Sequence, residues 1–159
     1  MSFESLTDEK IQQLLKMPKR VTNPKAREIA DANHLKRDYT VKSDDGSEDF
    51  VLFTRQNKTV VDDFTCGLRW IAPGSEELML ARYNGASHLH PNRLEGNILQ
   101  FVPHIHRTTE KYLRANLKPE GFAEEATRYK TMEGALNELV HDFNVAGLDT
   151  KPDHPELFQ

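Results

Sequence analysis

Four of the seven histidines fall within nineteen residues, as His88-Leu-His90 and His104-Ile-His106. Imidazole is the side chain whose ordinary pKa lies nearest neutrality, so it exchanges protons and, when neutral, ligates metals. In an extended chain, residues two apart point to one face, so each pair presents two imidazoles side by side. Arg82 and Tyr83 end the stretch before the first pair, and Glu95 lies between the pairs. A guanidinium, a phenol and a carboxylate therefore accompany the four rings.

Three chemistries compete for this set. The first is binding or metal-independent cleavage of RNA. His88, His90, His104 and His106 would be the catalytic proton carriers. Arg82 would bind substrate by forking onto a phosphate, and Tyr83 would stack on a base or donate a hydrogen bond. The second is a metal-binding module, with His88, His90, Glu95, His104 and His106 offered to a divalent metal. His88, His90 and Glu95 are similar in spacing to part of the first cupin motif, in which two histidines and a glutamate bind a metal inside a β-barrel. That similarity ends at Glu95. The third is a non-catalytic interaction protein, such as an antitoxin, inhibitor or counter-defence factor. Apart from all three, the histidines of a polar loop can simply hydrogen-bond the backbone. The first is the leading expectation.

The elements that must hold these groups are legible to different degrees. Thr7 can cap a helix with Ile11, Leu14 and Leu15 on one face and Pro18 at its end. Pro24 is a start for a short helix over 25–32. A strand is expected over 37–42, and Asp44-Asp-Gly46 is a turn. Residues 49–55 form a second strand, 56–58 a turn, and 59–62 the beginning of another strand. Over 63–72, Phe64, Cys66, Leu68 and Trp70 alternate as in a half-buried strand. Pro73-Gly-Ser75 turns the chain into 77–83, with Leu78, Leu80 and Arg82 on one face and Met79, Ala81 and Tyr83 on the other.

Residues 84–97 read as loop. The extended pattern resumes over 98–106, where Pro103 imposes an edge position or a break. Helices are expected over 111–116, 120–129 and 131–144. The last has Thr131 as cap, Met132, Leu136, Leu139, Val140 and Phe143 on one face, and Gly147 as terminator. The fold class is α+β: a central antiparallel meander packed against N- and C-terminal helices. One domain spans 1–159, with a flexible tail over 149–159.

The chain has 159 residues and a formal net charge of −4. An acidic total gives no general attraction to nucleic acid, although Lys16, Lys19, Arg20, Lys25 and Arg27 form a local basic cluster. Either that cluster or the acidic C-terminal third would be the surface for a cognate protein partner. Cys66 is the sole cysteine, which rules out an internal disulfide and leaves a buried, inert thiol as the expectation. No apolar run is long enough to span a membrane, and no secretory signal is visible, so a cytoplasmic protein is expected. Oligomeric state is not readable.

Arg82-Tyr-Asn-Gly85, then His88 and His90-Pro-Asn92, then Pro103-His-Ile-His106 resemble an uncharacterised family of small bacterial and phage proteins. Its pattern is approximately R-[LY]-[DN]-x, then H-x-N-P or H-x-H-P, then P-H-[IL]-H. Met17-Pro-Lys-Arg20 and the closing Asp142-Phe-Asn-Val145 are similar as well. Pro91-Asn92 reverses the commoner Asn-Pro order. Relatives on mobile elements and in toxin–antitoxin-like pairs imply a toxin, a ribonuclease among the options, or a defence component.

Overall fold

The computed structural model describes residues 3–153. The strands are β1 (Lys19–Val21), β2 (Ile29–Asp31), β3 (His34–Ser43), β4 (Asp49–Asn57), β5 (Phe64–Ile71), β6 (Glu77–Asn84), β7 (Leu89–Pro91), β8 (Ile98–Gln100), β9 (His104–Arg107), β10 (Phe122–Glu125) and β11 (Val145–Ala146). The helices are α1 (Asp8–Lys16), α2 (Glu110–Arg114) and α3 (Met132–Asp142). One large sheet runs β10-β9-β6-β5-β4-β3-β1-β11, with β2 added beside β3; β7 and β8 form a separate ribbon. Its pairs are antiparallel except β1 with β11. The class is therefore α+β with a mostly antiparallel sheet, and β3 to β6 are its meander.

One sheet face and two helices share a core. Phe64, Cys66, Leu68 and Trp70 of β5 are buried in one cluster with Ile11, Leu14 and Leu15 of α1 and Ala135 and Leu139 of α3. Thr7 and Thr131 each accept a backbone N–H three residues on, from Lys10 and Gly134. Both caps follow from their hydroxyls and extended backbones. Burial pushes the Cys66 thiol well up, which keeps it protonated and inert.

Several expectations need correction. Residues 25–32 form no helix; β2 pairs with β3 through a tight turn at Ala32, whose φ is 52°. Residues 59–62 belong to the β4–β5 connection, where Asn57 accepts bonds from Thr59 and Val60. Residues 120–129 hold β10, which adds to the edge of β9. The α3 terminator is Asn144 at φ 56°, and Gly147 lies beyond β11. Within the tail, the buried Asp153 carboxylate accepts from the backbone N–H of Lys130 and of Thr131. Residues 154–159, including His154, lie outside the described residues.

The correction that matters most for the site is a β-bulge. Leu68 pairs with Ala81, but Arg69 pairs with Met79, so Leu80 is the extra residue of β6. A bulge shifts the side-chain phase of everything beyond it. Leu78 and Leu80 are buried as expected, yet Ala81 and Tyr83 are buried too. Arg82 therefore leaves the face of Leu78 and Leu80 and emerges on the side of the sheet opposite the core.

Candidate phosphate-binding site

The register places the site. His106 lies opposite Arg82, and His104 opposite Asn84. Directly opposed residues in an antiparallel pair share a face. Arg82, Asn84, His104 and His106 thus form one cluster, while Tyr83 and Ile105 between them enter the core. Asn84 in turn lies opposite Thr65 of β5.

The second histidine pair comes from the β7 ribbon, which folds back over this face. Two contacts pin it. His90 Nε2 donates to the Gly121 carbonyl at 2.7 Å. Asn92 bonds both backbone groups of Ala123 on β10, accepting at 2.9 Å and donating at 2.8 Å. The Pro103 break is what allows this: β8 ends at Gln100, Phe101 takes φ 51°, and β9 begins at His104.

All four imidazoles meet. Ring centroids are 5.0 Å apart for His88 and His104, 4.5 Å for His90 and His106, and 5.0 Å for His104 and His106. His90 and His104 stack at 5.7 Å with 14° between planes. His104 Nδ1 donates to the Val102 carbonyl and His106 Nδ1 to the Glu120 carbonyl, each at 2.9 Å. Those bonds fix the tautomer and leave each Nε2 with an open lone pair.

The rings are not equivalent. His104 and His106 are buried. Burial pushes His106 down to about 2, helped by the charge of Arg82 and by His104. Burial likewise pushes His104 down to about 4, against its bond to Val102. Both are neutral at pH 7. His88 is exposed, and burial of part of its ring and the neighbouring His90 lower it more mildly.

A pocket of about 300 Å³ opens beside them, lined by Arg82, Lys118, His88, His90, His106 and Asn84, with Thr65 and Gly121 completing it. Arg82 is the inner cation. Burial lowers its pKa and the Glu120 carboxylate opposes that, with Nε and Oε2 3.9 Å apart. That is an ion pair too long to be a hydrogen bond, and the buried Arg82 Nε–H has no hydrogen-bond partner among the described residues. Asn84 Oδ1 and His104 Nε2 are buried without one as well. Buried polar groups are nearly always satisfied, so an open donor and an open acceptor in the pocket wall, with the open His104 Nε2 behind them, mark a place where a polar ligand completes the bonding.

Two expected site residues are elsewhere. Tyr83 is fully buried, stacks on Tyr129 at 5.9 Å, and donates its hydroxyl to Asp142. It belongs to the core because of the bulge. Glu95 accepts from the Tyr112 hydroxyl at 2.7 Å and from Lys111 at 3.0 Å, and the former bond holds its pKa down. It braces the ribbon against α2 and does not join the histidines. Among the described residues no three His, Cys, Asp or Glu side chains are grouped to hold a metal ion.

Asn84, Thr65, Lys118 and Glu120 join the site without having been singled out from the sequence. Asn84 had a signal, since it lies two residues beyond Arg82 on the same strand. Thr65 follows once the β5–β6 register is known. Lys118 and Glu120 had none.

Residues 6–145 match the model of a family of unknown function, DUF6978, and that span holds every residue of the pocket. The chain belongs to DUF6978. No curated protein and no solved structure matches this DUF6978 chain. No described helix of it is long and apolar enough to cross a membrane.

Proposed function

We propose that this DUF6978 protein binds RNA by a phosphate group in the Arg82–Lys118 pocket and cleaves it without a metal, as a ribonuclease of the toxin or defence type. The supporting observation is the meeting of four imidazoles with a recessed guanidinium whose Nε–H is unpartnered. Arg82 and Lys118 take the phosphate oxygens. Asn84 and Thr65 receive the ribose side.

His88 and His90 carry the proton work, because they line the pocket and come from the ribbon that covers it. His88 removes the proton of the ribose 2′-hydroxyl, whose oxygen attacks phosphorus. The 5′-oxygen leaves and takes the Nδ1 proton of His90 in its imidazolium form, whose Nε2–H stays on the Gly121 carbonyl. The products are a 2′,3′-cyclic phosphate and a 5′-hydroxyl end. His106 is a neutral wall whose lone pair orients the ligand, and His104 stands behind it with ring centroids 5.0 Å apart. A bound phosphate raises the pKa of any imidazole beside it, which brings the depressed values back toward neutrality.

The test is incubation of single-stranded RNA with purified protein in excess chelator. Wild type is expected to release cyclic-phosphate ends, and His88→Ala to lose about 10²–10⁴-fold in rate, the usual contribution of a general acid or base. Absence of both cleavage and binding by wild type overturns the reading. Cleavage that appears only on adding a divalent metal overturns its metal-free mechanism.

A further inference from the structure

The pocket does not stand alone. It shares Thr65 with a second hollow of about 220 Å³, lined by His34, Arg55 and Asp63. On its other side it shares His90, Lys118 and Gly121 with a third, of about 380 Å³, lined also by Arg93 and Tyr112. Through these shared walls the three hollows adjoin and together make the groove. The register explains the first junction: His104, Asn84, Thr65 and Arg55 oppose one another in a row across β9, β6, β5 and β4. Neighbouring strands lie about 4.8 Å apart, so this row covers about 14 Å.

Each section of the groove has its own cation. Arg55 is exposed and turns toward β3, with Nη2 3.5 Å from His34 Nδ1, away from Arg82. The middle section has Arg82 and Lys118. Arg93 is exposed at the far end. Of the described side chains lining the three hollows, Arg55, Arg82, Lys118 and Arg93 are cationic and Asp63 is the carboxylate, which accepts from His34 at 3.1 Å and from Asn57 at 3.0 Å. Glu120 lies behind Arg82 and Glu95 behind Tyr112. The cations therefore outnumber the carboxylates in its lining, on a chain whose net charge is −4.

We infer that the groove binds a single-stranded RNA segment of at least three nucleotides, with successive phosphates at Arg55, Arg82–Lys118 and Arg93. This rests on the phosphate-binding reading above and specifies its substrate. Positive grooves that follow a backbone are how single strands are held. A duplex fits poorly, because the central guanidinium is recessed, its side chain only 21% exposed. A single strand can lower one phosphate to it.

The test measures binding of 2′-fluoro RNA strands of one, three and six nucleotides, which bind but lack the attacking hydroxyl, by calorimetry at fixed salt. Affinity is expected to rise about tenfold or more from one nucleotide to six, because added phosphate contacts dominate affinity. Arg55→Gln and Arg93→Gln are each expected to weaken the six-nucleotide strand about fivefold and to lower its salt slope by about one contact, leaving the single nucleotide unaffected. Both side chains are exposed, and unchanged thermal melting confirms that the variants fold. Equal affinity at all lengths, insensitivity to both variants, or tighter binding of duplex overturns this inference while leaving the central phosphate site standing. No binding at any length overturns both.

Discussion

Arg82→Gln is expected to abolish RNA cleavage and to weaken binding of a short 2′-fluoro RNA by one to two orders of magnitude. Hydrogen bonds from a charged donor contribute about 1.5–3 kcal/mol, which sets that range. The same change also acts on the fold. Glu120 is buried, its side chain 8% exposed, and Arg82 is the cation beside it. Removing one partner of a buried pair typically costs about 3 kcal/mol or more, because the other charge remains desolvated. Loss of function in the single variant is therefore ambiguous. The double variant Arg82→Gln with Glu120→Gln resolves it, since it removes the stranded carboxylate. Denaturant unfolding of the double variant is expected to approach wild-type stability while RNA binding stays lost. A stable double variant that binds RNA as wild type does would show that Arg82 serves only the fold.

Lys19→Met is expected to destabilise the protein by about 3 kcal/mol or more, far from the pocket. Lys19 is 1% exposed, and its ammonium donates to the carbonyls of Leu15 at 2.6 Å, Met17 at 2.9 Å and Phe143 at 3.0 Å. It thereby ties the C-terminal end of α1 to that of α3, where helix dipoles favour a cation. Burial and the nearby Lys16 push its pKa down. Three carbonyls are served at once, however, only by three N–H donors, which the protonated amine alone possesses. Methionine keeps an apolar stem but loses the ammonium that lies 5.0 Å from the Phe50 ring centroid and leaves three acceptors unmet, each costing about 1–3 kcal/mol. For a chain of this size that lowers the melting temperature by about 6–12 °C. A melting temperature within a degree or two of wild type would mean the carbonyls find other partners, and RNA cleavage below the melting point should be unchanged.

The sequence was informative where the structure is local. The Thr7 and Thr131 caps, the apolar faces of α1 and α3, and the alternation of β5 are all local, and each is present. What failed is non-local. Residues 120–129 carry three glutamates and show no apolar alternation, yet β10 forms because the edge of β9 offers unpaired backbone groups. The hairpin of β2 and β3 prevails over the helix-start signal of Pro24 for the same reason.

Within the site, the two same-face histidine pairs were visible as a spacing, and β9 presents His104 and His106 as that spacing implies. The bulge at Leu80 was not visible, because a strand with an extra residue carries no composition mark. It reverses Arg82 and Tyr83: the arginine joins the histidines and the tyrosine becomes core. The division of the four imidazoles into a buried neutral pair and an accessible pair also depends on which strands cover them.

The measurement that bears most directly on the phosphate-site account is NMR titration of the histidine Cε1–H signals in chelator, with and without 2′-fluoro RNA. In the free protein, His104 and His106 are expected to stay neutral well below pH 6, as their values of about 4 and about 2 require. On adding RNA, the His88, His90 and His106 signals are expected to shift together and the His106 midpoint to rise, because a phosphate beside Arg82 favours the imidazolium. Signals and midpoints unmoved by saturating RNA would contradict the account.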